Sequence, residues 1–327
     1  MERAPLFEQI ARGPGGGAAY WLTARDGVRI RFGHWPSPPQ PRGTVFLLCG
    51  RTEYIEKYGP AAADFAARGY AMLAIDWRGQ GLADRILTHA PEKGHVGGLQ
   101  DYQWDLHAVI DAADELGLPQ PYFLVGHSMG GAIGLRAIEH EHHRFSAAAF
   151  SAPMWGIKAP ALLHPFRILI AQLLGDSFLA EAYPPGMNGT TYVYRDSFLA
   201  NRLTRDPEMW SWLIDQAAKH PELTLAGPTI HWVAESLLEC EALAALPSPD
   251  LPCYCGLGAA EKIVHCPAVH DRMNRWPKGK LDVIPEAEHE LMMEIPSTRA
   301  RFYDGCAALF DAAGGLAARD GLTAESA

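Results

Sequence analysis

YFLVGHSMGGAIGLRAI (residues 122–138) places one serine between a short apolar run and a segment with helical spacing. The first residues are typical of a buried strand and the last are typical of an amphipathic helix. Gly126 and Gly130 permit a tight turn between them, because neither carries a Cβ that would clash with the backbone. Such a turn leaves the Ser128 hydroxyl protruding at the end of a sheet, which predicts a nucleophile. The alternative, a glycine-rich phosphate loop, normally contains a Lys that this segment lacks.

Apolar runs alternate with helical patterns on both sides of this segment. TVFLLCG (44–50), YAMLAID (70–76) and AAAFSAP (147–153) are nearly continuous apolar runs, as expected for strands buried on both faces of a parallel sheet. The alternation resumes at LPCYCGLG (251–258) and KLDVIP (280–285). This pattern predicts an α/β fold with a mostly parallel central sheet flanked by helices.

The alternation stops over 154–246, where the sequence is mostly helical or irregular. We interpret this stretch as a helical cap inserted between two parts of one core, 1–153 and 247–315. The glycine-rich stretch 13–21 predicts a flexible leader, and 316–327 predict a flexible tail.

The composition limits the partners of the chain. It has 327 residues and a formal net charge of −10, which argues against binding a nucleic-acid backbone. No segment resembles a signal peptide and no apolar run approaches the length of a membrane span, which predicts a cytoplasmic protein. Six cysteines lack regular spacing, and Cys253 and Cys255 without a second pair form a weak zinc pattern. We therefore expect reduced thiols, no metal and no cofactor.

A serine nucleophile needs a base and a group that orients the base. His289 follows the last predicted strand and therefore lies at the same sheet edge as Ser128. The acid should follow the preceding strand, where Glu261 is found, whereas Asp271 is expected inside a helix and Asp250 at the opposite edge. The order Ser–Glu–His is that of α/β hydrolases.

The tetrahedral intermediate of ester hydrolysis needs two N–H donors. We expect one from the amide of Met129, directly after the nucleophile, and the other from the amide of Arg51 in the loop after TVFLLCG.

Several segments resemble the α/β-hydrolase superfamily, and more narrowly the serine hydrolases that include monoacylglycerol lipases and bacterial lysophospholipases of the L2 type. These segments are GHSMGG (126–131), DWRGQGLADR (76–85), GRTEYIEKYG (50–59) and PEAEHELMME (285–294), and the resemblance extends over about 21–310. It implies an α/β-hydrolase fold and a serine hydrolase without a cofactor.

The chain departs from these relatives at two positions. Cys49 stands where the family usually has His, so different bonds should hold the oxyanion loop. Glu261 stands where Asp is commoner, so its loop should lie slightly further back. Asp76 and Arg78, in the second of the resembling segments, are interpreted as a structural turn with ion pairing.

The resemblance implies hydrolysis of a lipid-like ester, with a lysophospholipid favoured and a monoacylglycerol next. An apolar cap suits an acyl chain. The stretch 161–174 either contacts a membrane surface transiently or packs within the cap. Acyl transfer by the same residues is an alternative, and a non-catalytic binding protein is a further one that the complete Ser–Glu–His set disfavours.

Overall fold

The apolar runs of the sequence form the centre of a nine-stranded sheet. The structure is a computed structural model that describes residues 1–158, 167–175 and 177–324. The strands are β1 (Glu2–Ala4), β2 (Ala18–Thr23), β3 (Arg29–Trp35), β4 (Thr44–Leu48), β5 (Ala71–Asp76), β6 (Tyr122–His127), β7 (Ala147–Ser151), β8 (Cys253–Gly258) and β9 (Gly279–Ile284). Their order is β1-β2-β3-β5-β4-β6-β7-β8-β9. Pairs from β1 to β5 are antiparallel and pairs from β5 to β9 are parallel, which confirms the predicted sheet.

Helices flank the sheet and make up much of the inserted segment. They are α1 (Glu8–Ala11), α2 (Gly59–Ala67), α3 (Asp101–Glu115), α4 (Met129–Glu141), α5 (Arg167–Gly175), α6 (Tyr192–Arg195), α7 (Pro207–Lys219), α8 (Ile230–Ala245), α9 (Cys266–Asn274) and α10 (Pro296–Ala324). Helices α5 to α8 lie between β7 and β8, in the stretch interpreted as a cap. Residues 161–166, which belong to the proposed lipid-contacting stretch, lie outside the described residues.

The register of the parallel strands brings distant loops to one edge of the sheet. Leu48 at the end of β4 pairs with Gly126 near the end of β6, and Gly258 at the end of β8 pairs with Ile284 at the end of β9. Because the carboxyl ends of parallel strands meet at one edge, the loops after these four strands open on the same side.

The inserted segment is joined to the core by buried polar contacts. Arg136 of α4 donates two hydrogen bonds to the Glu239 carboxylate of α8, at 2.8 and 3.0 Å. Two parallel bonds of this kind restrict the relative orientation of the helices. The Cys240 thiol donates to the Met154 carbonyl at 3.4 Å, which ties the same helix to the segment leaving β7.

The N-terminus is ordered by pairing and packing, contrary to the predicted flexible leader. Arg3 of β1 pairs with Tyr20 of β2, and Ile10 is buried. A Cβ on Gly13 would come within 2.5 Å of the Trp35 Nε1. The glycine therefore allows close packing against Trp35, a requirement that sequence alone does not distinguish from flexibility.

The last helix, α10, extends into 316–327, for which a flexible tail stays a prediction. It continues to Ala324, and residues 325–327 lie outside the described residues.

A buried arginine connects the antiparallel and parallel parts of the sheet. Arg31 of β3 is completely buried and contacts the carboxylates of Asp76 and Glu56 at 2.6 and 2.8 Å. Burial lowers the pKa of Arg31, but Asp76 and Glu56 raise it above its ordinary value, so the guanidinium stays charged. Asp76 also accepts hydrogen bonds from the amides of Ile55 and Leu82, each at 2.8 Å. Asp76 thus organises the loops after β4 and β5.

Arg78 has separate structural partners. Its guanidinium contacts Asp105 of α3 at 2.8 Å and Asp26, in the turn before β3, at 2.7 Å. These contacts agree with the predicted structural role of Asp76 and Arg78, although the two residues form ion pairs with other side chains and not with each other.

We expect Arg31→Met to lower the free energy of unfolding by about 3–5 kcal/mol, because it leaves two buried carboxylates without their cation. Urea denaturation of the purified protein measures the change. The control is Lys219→Gln, which removes an ion pair to Asp215 between half-exposed side chains and should change stability little. Equal effects of the two variants would show that the buried cluster does not stabilise the fold.

Candidate active site

Ser128 lies in a strained turn between β6 and α4. Its φ is +50°, in the left-handed region that non-glycine residues rarely adopt. A Cβ on Gly130 would lie 2.0 Å from the Leu48 carbonyl oxygen, and one on Gly126 would lie 2.7 Å from the Gly130 carbonyl oxygen. Only glycine fits at these two positions, so β6 and α4 can pack closely on β4 while Ser128 occupies the tip of the turn.

Glu261 and His289 are brought together from the loops after β8 and β9. The His289 Nδ1 is 2.7 Å from the Glu261 Oε2, and both residues are buried. The other carboxylate oxygen of Glu261 accepts hydrogen bonds from the amides of Ile263 and Val264. This arrangement holds the carboxylate in place and leaves the Nε2 of His289 for proton exchange with a hydroxyl.

The electrostatics of this pair favour a charged acid beside a basic imidazole. Burial raises the pKa of Glu261, but His289 and the two amides lower it below its ordinary value. Burial lowers the pKa of His289, but Glu261 raises it above its ordinary value. The carboxylate therefore stabilises the imidazolium that forms when the histidine takes up a proton.

A cavity of about 710 Å³ lies at this edge of the sheet, between core and inserted segment. Ser128 and His289 both line it on the core side, and Met187, Leu203 and Trp210 line it on the side of the inserted segment. The volume is within the range of small-ligand sites.

The loop after β4 is held by bonds on both sides of Arg51. The Gly50 amide donates to the Glu53 carboxylate, and the Thr52 amide donates to the Gln80 Oε1 at 3.3 Å. In the part of the chain that the structure describes, the amides of Arg51 and Met129 donate no hydrogen bond. Both remain predictions as oxyanion donors, and both are available for that role.

The substitution of Cys49 for the usual His is accommodated by other contacts. The Trp77 Nε1 donates to the Cys49 carbonyl at 2.9 Å, and the Gln80 amide group donates to the Gly50 carbonyl at 2.8 Å. Burial raises the pKa of the Cys49 thiol well above its ordinary value, so the residue is a neutral core group.

A buried lysine joins the loop after β4 to the histidine loop. The Lys57 Nζ is 2.8 Å from the Glu53 carboxylate and 2.7 Å from that of Glu290, the residue after His289. Burial lowers the pKa of Lys57, but Glu290 and Glu53 raise it well above its ordinary value. Burial raises the pKa of Glu53, but Lys57 and His127 lower it to about 2. This network was not predicted from the sequence, where its one trace is the spacing of four between Glu53 and Lys57.

His127 lies close to His289. Its ring centroid lies 4.9 Å from that of His289, and its Nδ1 is 3.0 Å from the Ser151 carbonyl oxygen. Burial lowers the pKa of His127, which favours the neutral ring. Glu53, His127 and Glu290 approach one another closely enough to hold a metal ion, but the Lys57 ammonium already supplies the positive charge to both carboxylates.

The two carboxylates considered as alternatives to Glu261 lie away from His289. Asp271 is exposed on α9 and pairs with Arg275 at 2.9 Å, and Asp250 pairs with Lys278 at 2.9 Å before the amino ends of β8 and β9. Neither contacts His289.

The sheet order and its helical flanks define an α/β hydrolase, with Ser128 on the turn where this fold places its nucleophile. The Hydrolase_4 family (Serine aminopeptidase, S33) matches residues 39–296. The chain belongs to this family and is a hydrolase.

Similar proteins agree with this assignment. A probable lysophospholipase L2 of Haemophilus influenzae is 28% identical over 305 residues, covering 91% of each chain. The lysophospholipase L2 of Escherichia coli strain K12 is 31% identical over 292 residues, covering 85% of this chain and 83% of the relative. The solved structure of a monoglyceride lipase from Saccharomyces cerevisiae shares the fold, with a TM-score of 0.68 and 18% identity over 89% of this chain and 94% of that one.

Within the described residues, no helix combines the length and apolar character needed to cross a membrane.

We expect Glu261→Gln to lower kcat by about 10²–10⁴-fold, because His289 loses the carboxylate that orients it and stabilises its charged form. The residual kcat/KM should fall off at a lower pH than in the wild type. The acid limb of the pH profile reports the protonation of His289. Glu261 raises the pKa of this histidine, so its removal should lower that pKa. A pH profile of kcat/KM measures both effects.

The matched control for this experiment is Asp271→Asn, which changes an exposed acid on α9 and should leave the profile unchanged. If Glu261→Gln had a normal kcat and Asp271→Asn were inactive, the acid that orients His289 would be Asp271 and not Glu261.

Proposed function

We propose that this hydrolase cleaves the acyl ester of a lysophospholipid or monoacylglycerol through a Ser128–Glu261–His289 triad. The observation that carries the proposal is the hydrogen bond between Glu261 and His289, at the wall of the cavity that Ser128 also lines. A base held by a buried acid beside a strained, partly exposed serine is the arrangement that activates a hydroxyl.

In the proposed reaction, the Ser128 Oγ attacks the ester carbonyl while the His289 Nε2 takes its proton. The amides of Arg51 and Met129 donate hydrogen bonds to the oxygen of the tetrahedral intermediate. The imidazolium then protonates the leaving glycerol oxygen, which leaves an acyl-enzyme. Water, deprotonated by His289, attacks the acyl-enzyme, and the fatty acid departs as Ser128 regains its proton.

The relatives support a lipid-like substrate. Two proteins named for lysophospholipase L2 activity align over most of both chains at 28% and 31% identity. This favours a lysophospholipid as substrate, with monoacylglycerol second.

We further propose that the inserted segment, 154–246, acts as a cap that contacts lipid surfaces transiently. Its described part carries large apolar side chains that are strongly exposed, among them Phe178 and Leu199, each 95% exposed, and Leu173, 66% exposed. Exposed apolar groups of this size fit a peripheral contact with lipid.

We expect a fluorophosphonate probe to label the wild type covalently and to leave Ser128→Ala unlabelled, because only an activated serine reacts readily. Ester hydrolysis should fall by about 10⁴-fold or more in the same variant. The control is Ser211→Ala at an exposed position of α7, which should be labelled like the wild type. Full labelling of Ser128→Ala would refute the assignment of Ser128 as the nucleophile.

We expect kcat/KM to rise with acyl length from acetyl to medium or long chains. Each methylene that becomes buried contributes about 0.8 kcal/mol, or up to about fourfold. A series of monoacylglycerols and p-nitrophenyl esters, assayed below their aggregation concentrations, measures this dependence. A flat or falling series would indicate an esterase for small, non-lipid substrates.

A further inference from the structure

Three exposed basic residues line the catalytic cavity in addition to Arg51 and Arg195. Lys158 follows β7, Arg202 lies between α6 and α7, and Lys262 follows β8, so they come from segments far apart in the chain. All three side chains are exposed, and all three line the cavity that contains Ser128. This concentration of positive charge occurs in a chain with a net charge of −10.

Backbone contacts hold each of these residues beside the proposed triad. The Lys158 Nζ donates to the Glu261 carbonyl at 3.3 Å, and Ile157 bridges to Val264. Lys262 is the neighbour of Glu261 in the chain. The loop of Arg202 is tied to the histidine loop, because the Glu290 amide donates to the Leu203 carbonyl at 2.8 Å.

The acidic residues of the cavity wall do not neutralise this cluster. Glu53 and Glu290 are both paired with the buried Lys57, at 2.8 and 2.7 Å. Asp196 is paired with Arg195 at 2.9 Å. The carboxylates that line the cavity are thus already matched with other cations.

The three basic side chains keep most of their hydrogen-bonding capacity. Arg202 makes no ion pair or hydrogen bond within the described ranges. Lys158 uses one of its three N–H groups on a carbonyl, and Lys262 lies 3.6 Å from the carboxylate of Glu288, its one ion-pair partner among the described residues. Contacts of this kind at an exposed lysine contribute little and are readily exchanged.

We propose that Lys158, Arg202 and Lys262 form a subsite for the phosphate of a lysophospholipid. This subsite would select phosphate-bearing substrates over monoacylglycerols, and net anionic headgroups over zwitterionic ones. The inference rests on the proposed function and adds the headgroup to it. A short glycerol chain separates the acyl ester from the phosphate, so an ester at Ser128 places the phosphate within the same cavity. Guanidinium and ammonium groups supply the charge-assisted hydrogen bonds that phosphate oxygens accept.

The test compares the wild type with the triple variant Lys158→Gln/Arg202→Gln/Lys262→Gln. The substrates are short-chain lysophosphatidylglycerol, lysophosphatidylcholine and monoacylglycerol with one acyl chain, each assayed as monomers. We expect the ratio of kcat/KM for lysophosphatidylglycerol to that for monoacylglycerol to fall about tenfold in the variant. Added salt should lower the same ratio in the wild type, because it screens exposed charges.

The matched control is Lys278→Gln. Lys278 resembles Lys262 in exposure, at 52% against 56%, and in having one carboxylate partner, but it precedes β9 at the opposite edge of the sheet. The control should leave the substrate ratio unchanged.

Three results with these variants would overturn the subsite. The first is an unchanged substrate ratio in the triple variant, and the second is an equal change of this ratio in Lys278→Gln. The third is a loss of activity in the triple variant that appears only when the substrate is presented in anionic vesicles. That result would assign the three basic residues to membrane attachment. A wild type that hydrolyses monoacylglycerol but no lysophospholipid would also overturn it while leaving ester hydrolysis intact. A wild type that hydrolyses none of the three substrates would refute the proposed function itself.

Discussion

The contact between the start of α4 and the end of β4 is the constraint on which the site depends. Gly130 packs so closely on the Leu48 carbonyl that no side chain fits between them. This contact sets how near the helix can approach the sheet, and it holds Ser128 at a positive φ. Met129, whose amide we expect to serve as an oxyanion donor, is the first residue of α4. A larger residue at 130 would force the start of α4 away from the end of β4.

The second organising feature is the buried Lys57, which two loops share. Removing three charged groups from water costs free energy that the ion pairs only partly offset, so the network is a poor source of stability by itself. Its effect is geometric, because one ammonium holds both Glu53, which accepts the Gly50 amide, and Glu290, which adjoins His289. One side chain therefore links the loop after β4 to the loop that carries His289.

Core and inserted segment supply different properties to the cavity. The core contributes buried groups with shifted pKa values, such as Glu261 and His289. The inserted segment contributes Met187, Leu203 and Trp210 together with Arg202, and it carries strongly exposed apolar side chains such as Phe178. In the proposed reaction, proton transfer thus takes place at buried groups, and the proposed charge selection takes place where the cavity opens to solvent.

Local patterns in the sequence determined the parallel strands, the turn at Ser128 and the sheet edge that carries Glu261 and His289. A fully buried strand must be apolar throughout, a strained turn must have small neighbours, and the carboxyl ends of parallel strands share an edge, so each feature leaves a trace within a few residues. Asp271 could also be excluded as the acid partner of His289 from local sequence, because it lies within the helical pattern of α9. Only the tertiary structure decided that the N-terminal segment packs on the core and that Lys57 joins two loops. It also decided that Lys158, Arg202 and Lys262 line one cavity. These depend on contacts between residues far apart in the chain, such as Lys57 with Glu290, and such contacts impose no periodicity on either segment.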